Sequence, residues 1–201
     1  MELFINKIIS SMVQIVLFTV IPFIWWLVTA RKKEKFHSWI GLKKPAGGIK
    51  TLLAVIGTTA AFLIIGAYSL YIVKDIETAT SGFKGLGMAA VPAILVYALF
   101  NTALPEEIIF RGFLLKRVQN KFGFKAANAV QAVIFGIVHA VMFFNLVGMV
   151  KAVIILVFTA MIAWAMGYIN EKKANGSIIP SWIIHTIANI FSGVCAAFVI
   201  F

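Results

Sequence analysis

The stretch VPAILVYALFNTALPEEIIFRGFLLKR, residues 91–117, decides the fold because it places two carboxylates and a guanidinium within an apolar run. Such a run is long enough for a membrane-spanning helix, which needs about 20 mostly apolar residues. The chain as a whole has the same character: of its 201 residues, 62% are hydrophobic and 12% are charged. Soluble domains are about 25% charged. The composition therefore excludes a lone soluble domain and indicates a polytopic membrane protein.

Five further apolar stretches have a similar length, separated by charged segments or by a short turn. The predicted spans are 8–30, 51–73, 88–115, 126–146, 150–170 and 177–201. The predicted fold class is all-α, a polytopic transmembrane helix bundle of about six spans with the candidate catalytic residues in the last four. We divide the chain into an N-terminal two-helix membrane region with a basic loop, 1–87, and a core, 88–201, within one integrated domain.

The net charge of +11 is unevenly distributed along the chain. Fourteen of the 18 Lys and Arg residues, Arg111 included, follow the first, third and fifth predicted spans. The other four are Lys7, Lys74, Lys84 and Lys151. Basic residues collect on the cytoplasmic side of membrane proteins. We therefore predict an N-out, C-out topology, and we explain the basic charge by topology and not by a nucleic-acid partner.

Three predicted spans carry polar residues at positions where inserting such groups into the membrane costs free energy. The three sets are Glu106-Glu107-x-x-x-Arg111, Phe135-x-x-x-His139 and His185-x-x-x-Asn189. A charged side chain at mid-bilayer costs at least about 2.5–3.5 kcal/mol on insertion scales, so these residues indicate a functional site. Helical rise from the basic loops places Glu106, His139 and His185 at one depth, with Glu106 about 15 Å inside Lys116.

Helical spacing separates the roles within each set. Glu107 and Arg111 are four residues apart and can pair, whereas Glu106 projects about 100° away and is left free. His185 and Asn189 are also four residues apart, so they can direct two donors at one point.

Other residues suggest structural roles. Phe135 is predicted to be a wall residue one turn from His139. Pro105 leaves the carbonyl of Asn101 without its amide partner and predicts a kink just before the carboxylates. The pattern Ala163-x-x-x-Gly167 favours close helix packing. Trp25, Trp26 and Trp39 are predicted to be aromatic residues at the membrane interface.

The three motifs, present in this order and each within an apolar span, resemble the CPBP family. These are the CAAX protease and bacteriocin-processing proteins, also called the Abi or type II CAAX prenyl endopeptidase family. The resemblance covers roughly Val91 to Ser192 and implies an intramembrane endopeptidase. By matching position, the implied catalytic residues are Glu106, His139, His185 and Asn189, with Glu107, Arg111 and Phe135 in support.

Peptide hydrolysis needs an activated water and a site that stabilises the oxyanion. We predict that Glu106 is the general base, that His139 orients the water, and that His185 and Asn189 donate to the oxyanion, without a cofactor. The alternative is a zinc ion held by Glu106, His139 and His185, because two His and one Glu match a catalytic zinc site. In that case Glu107 would be the only carboxylate left to act as the base. It is predicted to lie beside Arg111 and to point away from the zinc ligands.

Bacterial relatives are linked to bacteriocin maturation, self-immunity and peptide signalling, and the short loops are typical of a bacterial chain. We expect a multi-pass enzyme of the bacterial cytoplasmic membrane that cleaves a membrane-associated peptide or protein, not a prenylated one. Its cavity is expected to open to the cytoplasmic side or laterally to lipid. The alternatives are a catalytically silent immunity or partner-binding protein and a proton-coupled transporter. The sequence makes no prediction of oligomeric state.

Overall fold

The computed structural model describes residues 1–201, and every regular element in it is helical. Four helical runs are long and apolar enough to cross a membrane. They are Glu2–Thr29, Gly48–Ile72, Gly87–Lys173 and Ile179–Ala197. The prediction of an all-α, multi-pass membrane protein is therefore confirmed.

Two glycines divide the third run, which is 87 residues long. Gly123 has φ 77° and ψ 168°, and Gly148 has φ 76° and ψ 173°, so both lie outside the helical region. A positive φ carries little steric cost for glycine, and both positions fall in the predicted turns. The helices are α1 (Glu2–Thr29), α2 (Phe36–Trp39), α3 (Gly48–Ile72), α4 (87–122), α5 (124–147), α6 (149–173) and α7 (Ile179–Ala197).

The outer helices differ from the predicted spans at their ends. The first span was predicted to begin at residue 8, but α1 begins at Glu2 and includes Lys7. The Lys7 amine lies 5.2 Å from the ring centroid of Phe83 and 5.1 Å from that of Tyr97, and these cation–π contacts allow the charge within the helix. The last span was predicted to reach residue 201, but α7 ends at Ala197.

Helix α4 is wound unevenly around Pro105. A π-helical segment, Tyr97–Ala103, precedes the short α-helical turn Leu104–Glu107, and a second π-helical segment, Ile108–Leu115, follows it. In a π-helix each carbonyl bonds to the amide five residues later, as the Leu104 amide does with the carbonyl of Leu99. This register bypasses the missing amide of Pro105, and the kink expected at this position stays a prediction.

The loops that follow α1, α4 and α6 meet at one end of the bundle, which we call the basic end. The Lys116 amine donates to Glu171 at 2.7 Å and to the carbonyl of Gly176 at 2.8 Å. The Ile178 amide donates to the carbonyl of Gly41 at 2.8 Å. These bonds tie the loop after α1 to the loop after α6, and α4 to both α6 and that loop, at the end where most of the Lys and Arg residues lie.

Both chain termini lie at the opposite end of the bundle, which we call the terminal end. Leu3 and Phe4 pack against a buried cluster that includes Phe83 and Ala197. The Gly85 amide donates to the carbonyl of Ala196 at 3.3 Å. The segment between α3 and α4 therefore covers the ends of α1 and α7.

Trp39 does not face lipid, although its depth at the membrane interface stays a prediction. Its side chain is buried, and the guanidinium carbon of Arg117 lies 4.0 Å from its ring centroid. The loop after α1 folds back onto the bundle and places α2 beside the start of the α4–α5 connection. The tryptophan therefore packs against protein instead of lipid headgroups.

Helices α5 and α6 pack closely because small residues face amide side chains. The Asn128 amide donates to the carbonyl of Trp164 at 3.0 Å, and the Gln131 amide donates to that of Ala163 at 3.0 Å. Ala163 and Gly167 are both buried at this contact, so the close packing predicted from their spacing is confirmed. Burying the amides requires such partners, because a buried polar group without a hydrogen bond costs free energy.

Gly136 provides a test of this packing. A methyl group placed there would lie 2.7 Å from the carbonyl oxygen of Leu156 and 2.9 Å from the Cβ of Ala160. We expect Gly136→Ala to lower the free energy of unfolding by about 1–3 kcal/mol, the usual cost of overpacking. Thermal unfolding of the purified protein in detergent measures the change.

The matched control is Gly57→Ala in α3, where an added methyl group meets nothing within 4 Å. Alanine is the better helix former, so this variant should unfold at or above the wild-type temperature. Equal losses in the two variants would contradict the packing described for Gly136.

Candidate active site

A cavity of about 290 Å³ lies between α3, α4, α5, α6 and α7. The predicted site residues that line it are Glu106, Phe135, His139, His185 and Asn189. The two remaining predicted residues, Glu107 and Arg111, do not line the cavity and are 0% and 1% exposed. The structure thus places one carboxylate, two imidazoles and one carboxamide on a common surface, with an ion pair buried behind them.

The buried ion pair joins Glu107 to Arg111 on α4. The guanidinium Nη1 lies 3.1 Å from Glu107 Oε1, one helical turn away, as the spacing predicted. The same carboxylate oxygen lies 3.1 Å from Nδ1 of His185 on α7. A carboxylate accepts hydrogen bonds, so this contact directs the His185 Nδ1–H at Glu107 and leaves Nε2 facing the cavity.

As expected, Glu107 points away from the cavity and lies beside Arg111, but its contact with His185 was not predicted. Its carboxylate lies between Arg111 and His185 and contacts both. Helical spacing within α4 gave the contact with Arg111, but the contact with His185 depends on how α7 is rotated against α4. Glu107 is consequently the residue that fixes the ring orientation of His185.

Glu106 points into the cavity, and its carboxylate makes no hydrogen bond to the protein through Oε2. This oxygen lies 3.8 Å from Nε2 of His185. The pair is too far apart for a direct hydrogen bond. Glu106 therefore lines the cavity and retains unused acceptor capacity beside the imidazole of His185.

The imidazole of His139 is oriented by its own helix. Its Nδ1 lies 2.9 Å from the carbonyl oxygen of Phe135, which can only accept, so Nδ1 carries the hydrogen. In the neutral ring, Nε2 is then an acceptor. Glu106 and His139 together present acceptors to the cavity, as an attacking water that gives up a proton requires.

Phe135 forms the wall between these groups, as predicted. Its ring centroid lies 4.3 Å from that of His139 and 6.1 Å from that of His185. The guanidinium carbon of Arg111 lies 4.4 Å from the same ring. The ring therefore separates the buried charge of Arg111 from the cavity and limits the positions of both imidazoles.

Asn189 is held by a residue that the sequence analysis missed. Its side-chain amide donates to the hydroxyl of Thr102 at 2.6 Å, and that hydroxyl donates to the carbonyl of Tyr97 at 3.3 Å. An amide nitrogen carries two hydrogens, so the second remains free to donate within the cavity. Thr102 precedes Glu106 by one helical turn, a spacing that could have indicated its place on the same face.

The zinc alternative stays a prediction. In this structure no group of three His, Cys, Asp or Glu side chains is close enough together to hold a metal ion. Glu107 engages Nδ1 of His185, and the Phe135 carbonyl engages Nδ1 of His139. Zinc-binding histidines usually have their second ring nitrogen held in this way, so these two contacts do not distinguish the water-activating role of the histidines from the zinc alternative.

The cavity extends toward the terminal end of the bundle. Beyond the site residues, its lining continues along the second half of α3 and through Thr78 and Thr80 to Ser192 of α7. All of these lie toward the terminal end. The expected access, from the cytoplasmic side or laterally from lipid, stays a prediction.

Residues 87–191 match the family described as type II CAAX prenyl endopeptidase Rce1-like. This range includes all seven residues of the candidate site and more than half of the chain. The chain belongs to this family. The family is one of membrane endopeptidases, in agreement with the resemblance found in the three motifs. No curated protein and no solved structure matches the chain.

Removing Glu107 tests the buried ion pair. Glu107→Ala leaves the guanidinium of Arg111 buried without a countercharge, so we expect the free energy of unfolding to fall by about 3–5 kcal/mol. The readout is thermal unfolding in detergent, because this loss concerns folding and is independent of any substrate.

The double variant Glu107→Ala, Arg111→Met is the control, since it removes the stranded charge together with its partner. It should regain a large part of the lost stability. If the two substitutions instead destabilise the protein additively, the two side chains are not energetically coupled.

Proposed function

We propose that the protein is an intramembrane endopeptidase that hydrolyses a peptide bond of a membrane-associated peptide or protein. The observation that carries the proposal is the shared cavity surface formed by Glu106, His139, His185 and Asn189. Two acceptors and two potential donors face one space there, as the hydrolysis of an amide requires. Membership of an endopeptidase family supports the same reaction class.

In the first step, a water lies between Glu106 and His139 and donates one hydrogen bond to each. Glu106 takes a proton as the water oxygen forms its bond to the carbonyl carbon of the substrate. His139, with its Nδ1–H held by Phe135, orients the water through Nε2. The carbonyl π electrons move to the oxygen, which becomes the oxyanion.

In the second step, the oxyanion accepts hydrogen bonds from His185 and Asn189. The C–N bond then breaks, and the protonated Glu106 returns its proton to the leaving nitrogen. The water oxygen remains in the new carboxyl group, so the products are one carboxylic acid and one amine. Glu106 is thereby restored for the next cycle, and the reaction needs no further reactant.

His185 can donate to the oxyanion only as an imidazolium. Its Nδ1–H is already directed at Glu107, so Nε2 carries a hydrogen only when the ring holds both protons. A charged His185 and Arg111 would together balance the two carboxylates of Glu106 and Glu107. We therefore propose that the ring is an imidazolium while the oxyanion is bound.

The proposed topology has six membrane crossings, one each for α1, α3, α4, α5, α6 and α7. Most basic residues lie at one end of the bundle, and we assign that end to the cytoplasm. Both termini then lie outside. We assign the protein to a bacterial cytoplasmic membrane, with residues 88–201 as the protease core, and roles in bacteriocin or signal-peptide processing or in self-immunity fit such an enzyme.

Replacing the proposed base tests the function. Peptides that accumulate uncut in membranes lacking the protein identify the substrate, which is then supplied to the purified enzyme in detergent. Glu106→Gln keeps the shape of the side chain but cannot take the proton. We expect hydrolysis to fall by at least about 10²–10⁴-fold, the usual contribution of a general base, while the substrate still binds.

The matched control is Glu34→Gln, which removes an exposed carboxylate at the basic end and should leave the rate unchanged. Full proteolysis by Glu106→Gln would contradict the proposed base. The silent immunity protein or the transporter would be favoured if the purified wild type hydrolysed none of the peptides that accumulate in its absence. A chelator should have no effect on the wild type. Inactivation by the chelator with recovery on adding zinc would make Glu106, His139 and His185 ligands instead.

Thr102 tests the proposed donor Asn189 without removing it. Thr102→Val deletes the hydroxyl that holds the Asn189 amide. We expect kcat to fall by about tenfold, roughly the value of one hydrogen bond, with little change in KM. Thr102→Ser keeps the hydroxyl and should restore the rate.

Thr186→Val on α7 is the control for loss of a buried hydroxyl. Thr186 is 6% exposed, its hydroxyl has no hydrogen-bond partner, and it does not line the cavity. Its replacement should leave kcat unchanged. A loss of kcat in Thr186→Val equal to that in Thr102→Val would assign the effect to general packing.

A further inference from the structure

The hydroxyl of Tyr97 differs from the other hydroxyls that line the cavity. Each of the others hydrogen-bonds to a protein group; they belong to Ser69, Thr78, Thr80, Thr102, Thr159 and Ser192. No hydrogen bond of the protein uses the Tyr97 hydroxyl, although the residue lines the same cavity and is only 5% exposed. A buried polar group without a partner costs free energy, so a ligand that supplies the partner is favoured.

The Thr102 side chain is a neighbour of the phenol, but its own bonds are directed elsewhere. Its hydrogen is directed at the backbone carbonyl of Tyr97, and its oxygen accepts from the Asn189 amide. The two hydroxyls therefore lie close together without a hydrogen bond of good geometry between them. The phenol hydrogen remains available within the cavity.

The π-helical segment before Pro105 explains why Tyr97 faces the site residues. Nine residues separate Tyr97 from Glu106, and in a regular α-helix such a pair projects to opposite sides. The segment Tyr97–Ala103 is π-helical. Turns closed by bonds between residues five apart hold more residues than α-helical turns, so each residue rotates less. Tyr97 and Glu106 consequently line the same cavity.

The ring of Tyr97 is held in place by neighbours at the terminal end. Its centroid lies 5.5 Å from that of Phe83, with the two planes inclined at 68°. The Lys7 amine lies 5.1 Å from the same centroid, and Ile94 and Ala197 belong to the same buried cluster. A phenol fixed in this way can bond a ligand without first losing side-chain freedom.

The distance along α4 limits which part of a bound peptide the phenol can reach. Nine residues of helix correspond to about 14 Å between Tyr97 and Glu106 along the helix axis. An extended peptide advances about 3.3–3.6 Å per residue. A peptide with its scissile bond at Glu106 therefore passes Tyr97 within about four residues of that bond.

We propose that Tyr97 is a substrate-binding residue, whose hydroxyl donates a hydrogen bond to a backbone carbonyl of the bound peptide near the scissile bond. Backbone groups need such partners inside a membrane, where little water replaces them. The contact recognises the main chain of the peptide and does not depend on its side chains. The proposal rests on the proposed peptidase function for the identity of the ligand, and it is independent of the route by which the peptide enters.

The first measurement is the stability of Tyr97→Phe, which removes the hydroxyl and keeps the ring. Because the hydroxyl has no partner in the free protein, this variant should unfold at or above the wild-type temperature in detergent. A lower unfolding temperature would assign the hydroxyl to a structural hydrogen bond and overturn the proposal.

The second measurement is the affinity for a fluorescent form of the peptide that accumulates in membranes lacking the protein. In the Glu106→Gln background, which binds without cleaving, Tyr97→Phe should raise Kd by about three- to tenfold, the value of one neutral hydrogen bond. With Glu106 present, KM should rise by the same factor and kcat should stay unchanged, because the bond is equally strong before and during the reaction.

The matched control is Tyr168→Phe. Tyr168 is 37% exposed, stacks on Trp164 and lies outside the cavity, so the loss of its hydroxyl should change neither Kd nor KM. An unchanged Kd in Tyr97→Phe overturns the proposal, as does an equal rise of Kd in the control. A fall in kcat at constant KM also overturns it, because the hydroxyl would then act on the chemical step.

Peptide analogues identify the carbonyl. One amide at a time, within four residues of the scissile bond, is replaced by a trans-alkene that keeps the shape and lacks the carbonyl. Tyr97→Phe should weaken the binding of every analogue except the one that has lost the contacted carbonyl. An ester at that position keeps the carbonyl and loses the N–H, so its binding should still respond. Equal responses of all alkene analogues, or an ester that does not respond, would exclude a donated bond to a single carbonyl.

Binding and hydrolysis together separate this proposal from the proposed function. A purified wild type that hydrolyses none of the peptides but binds one with an affinity that depends on Tyr97 keeps the binding residue and removes the peptidase. Hydrolysis with equal KM in the wild type and in Tyr97→Phe removes the role of Tyr97 and keeps the peptidase. If none of the peptides binds, both proposals are overturned.

Discussion

The guanidinium of Arg111 has no access to water from its place in the bundle, and Glu107 balances its charge from one helical turn away. Separating such a pair inside a low-dielectric interior is expensive. Because Glu107 also contacts His185, the same carboxylate joins α4 to α7 and sets the direction of the imidazole. The orientation of His185 at the cavity therefore depends on the ion pair of Glu107 and Arg111, which is buried behind the cavity wall.

Other buried polar contacts extend this arrangement to the remaining helices. Asn128 and Gln131 donate to backbone carbonyls of α6, and small residues at Ala163 and Gly167 leave room for them. Between helices in lipid, apolar burial adds little attraction, so close packing and hydrogen bonds hold the contact. The position of His139 on α5 relative to His185 on α7 is thus fixed through α6 and α4 together.

The sequence was sufficient to predict the parts of the structure that depend on distance along a helix. The turn at Gly123, the common depth of Glu106 and His139, and the pairing of Glu107 with Arg111 all follow from a constant rise and rotation per residue. The second contact of Glu107, the burial of Trp39 and the π-helical winding around Pro105 depend on how separate segments pack. The end of the bundle toward which the cavity extends could not be predicted either. Distance along a helix gives the depth of a residue, but it does not tell at which end the side chains of neighbouring helices fill the interior.

Because the turns at Gly123 and Gly148 are one residue long, the geometry of the site depends on the number of residues in the helix between them. With no loop to absorb a change, deleting one residue between Gly123 and His139 would rotate that ring by about 100° and shift it by about 1.5 Å along α5. A substitution on the lipid-facing side of the same segment changes neither quantity. In α5 the protein should therefore accept many changes of residue identity and very few insertions or deletions, because the number of residues aligns the imidazole with the carboxylate of Glu106.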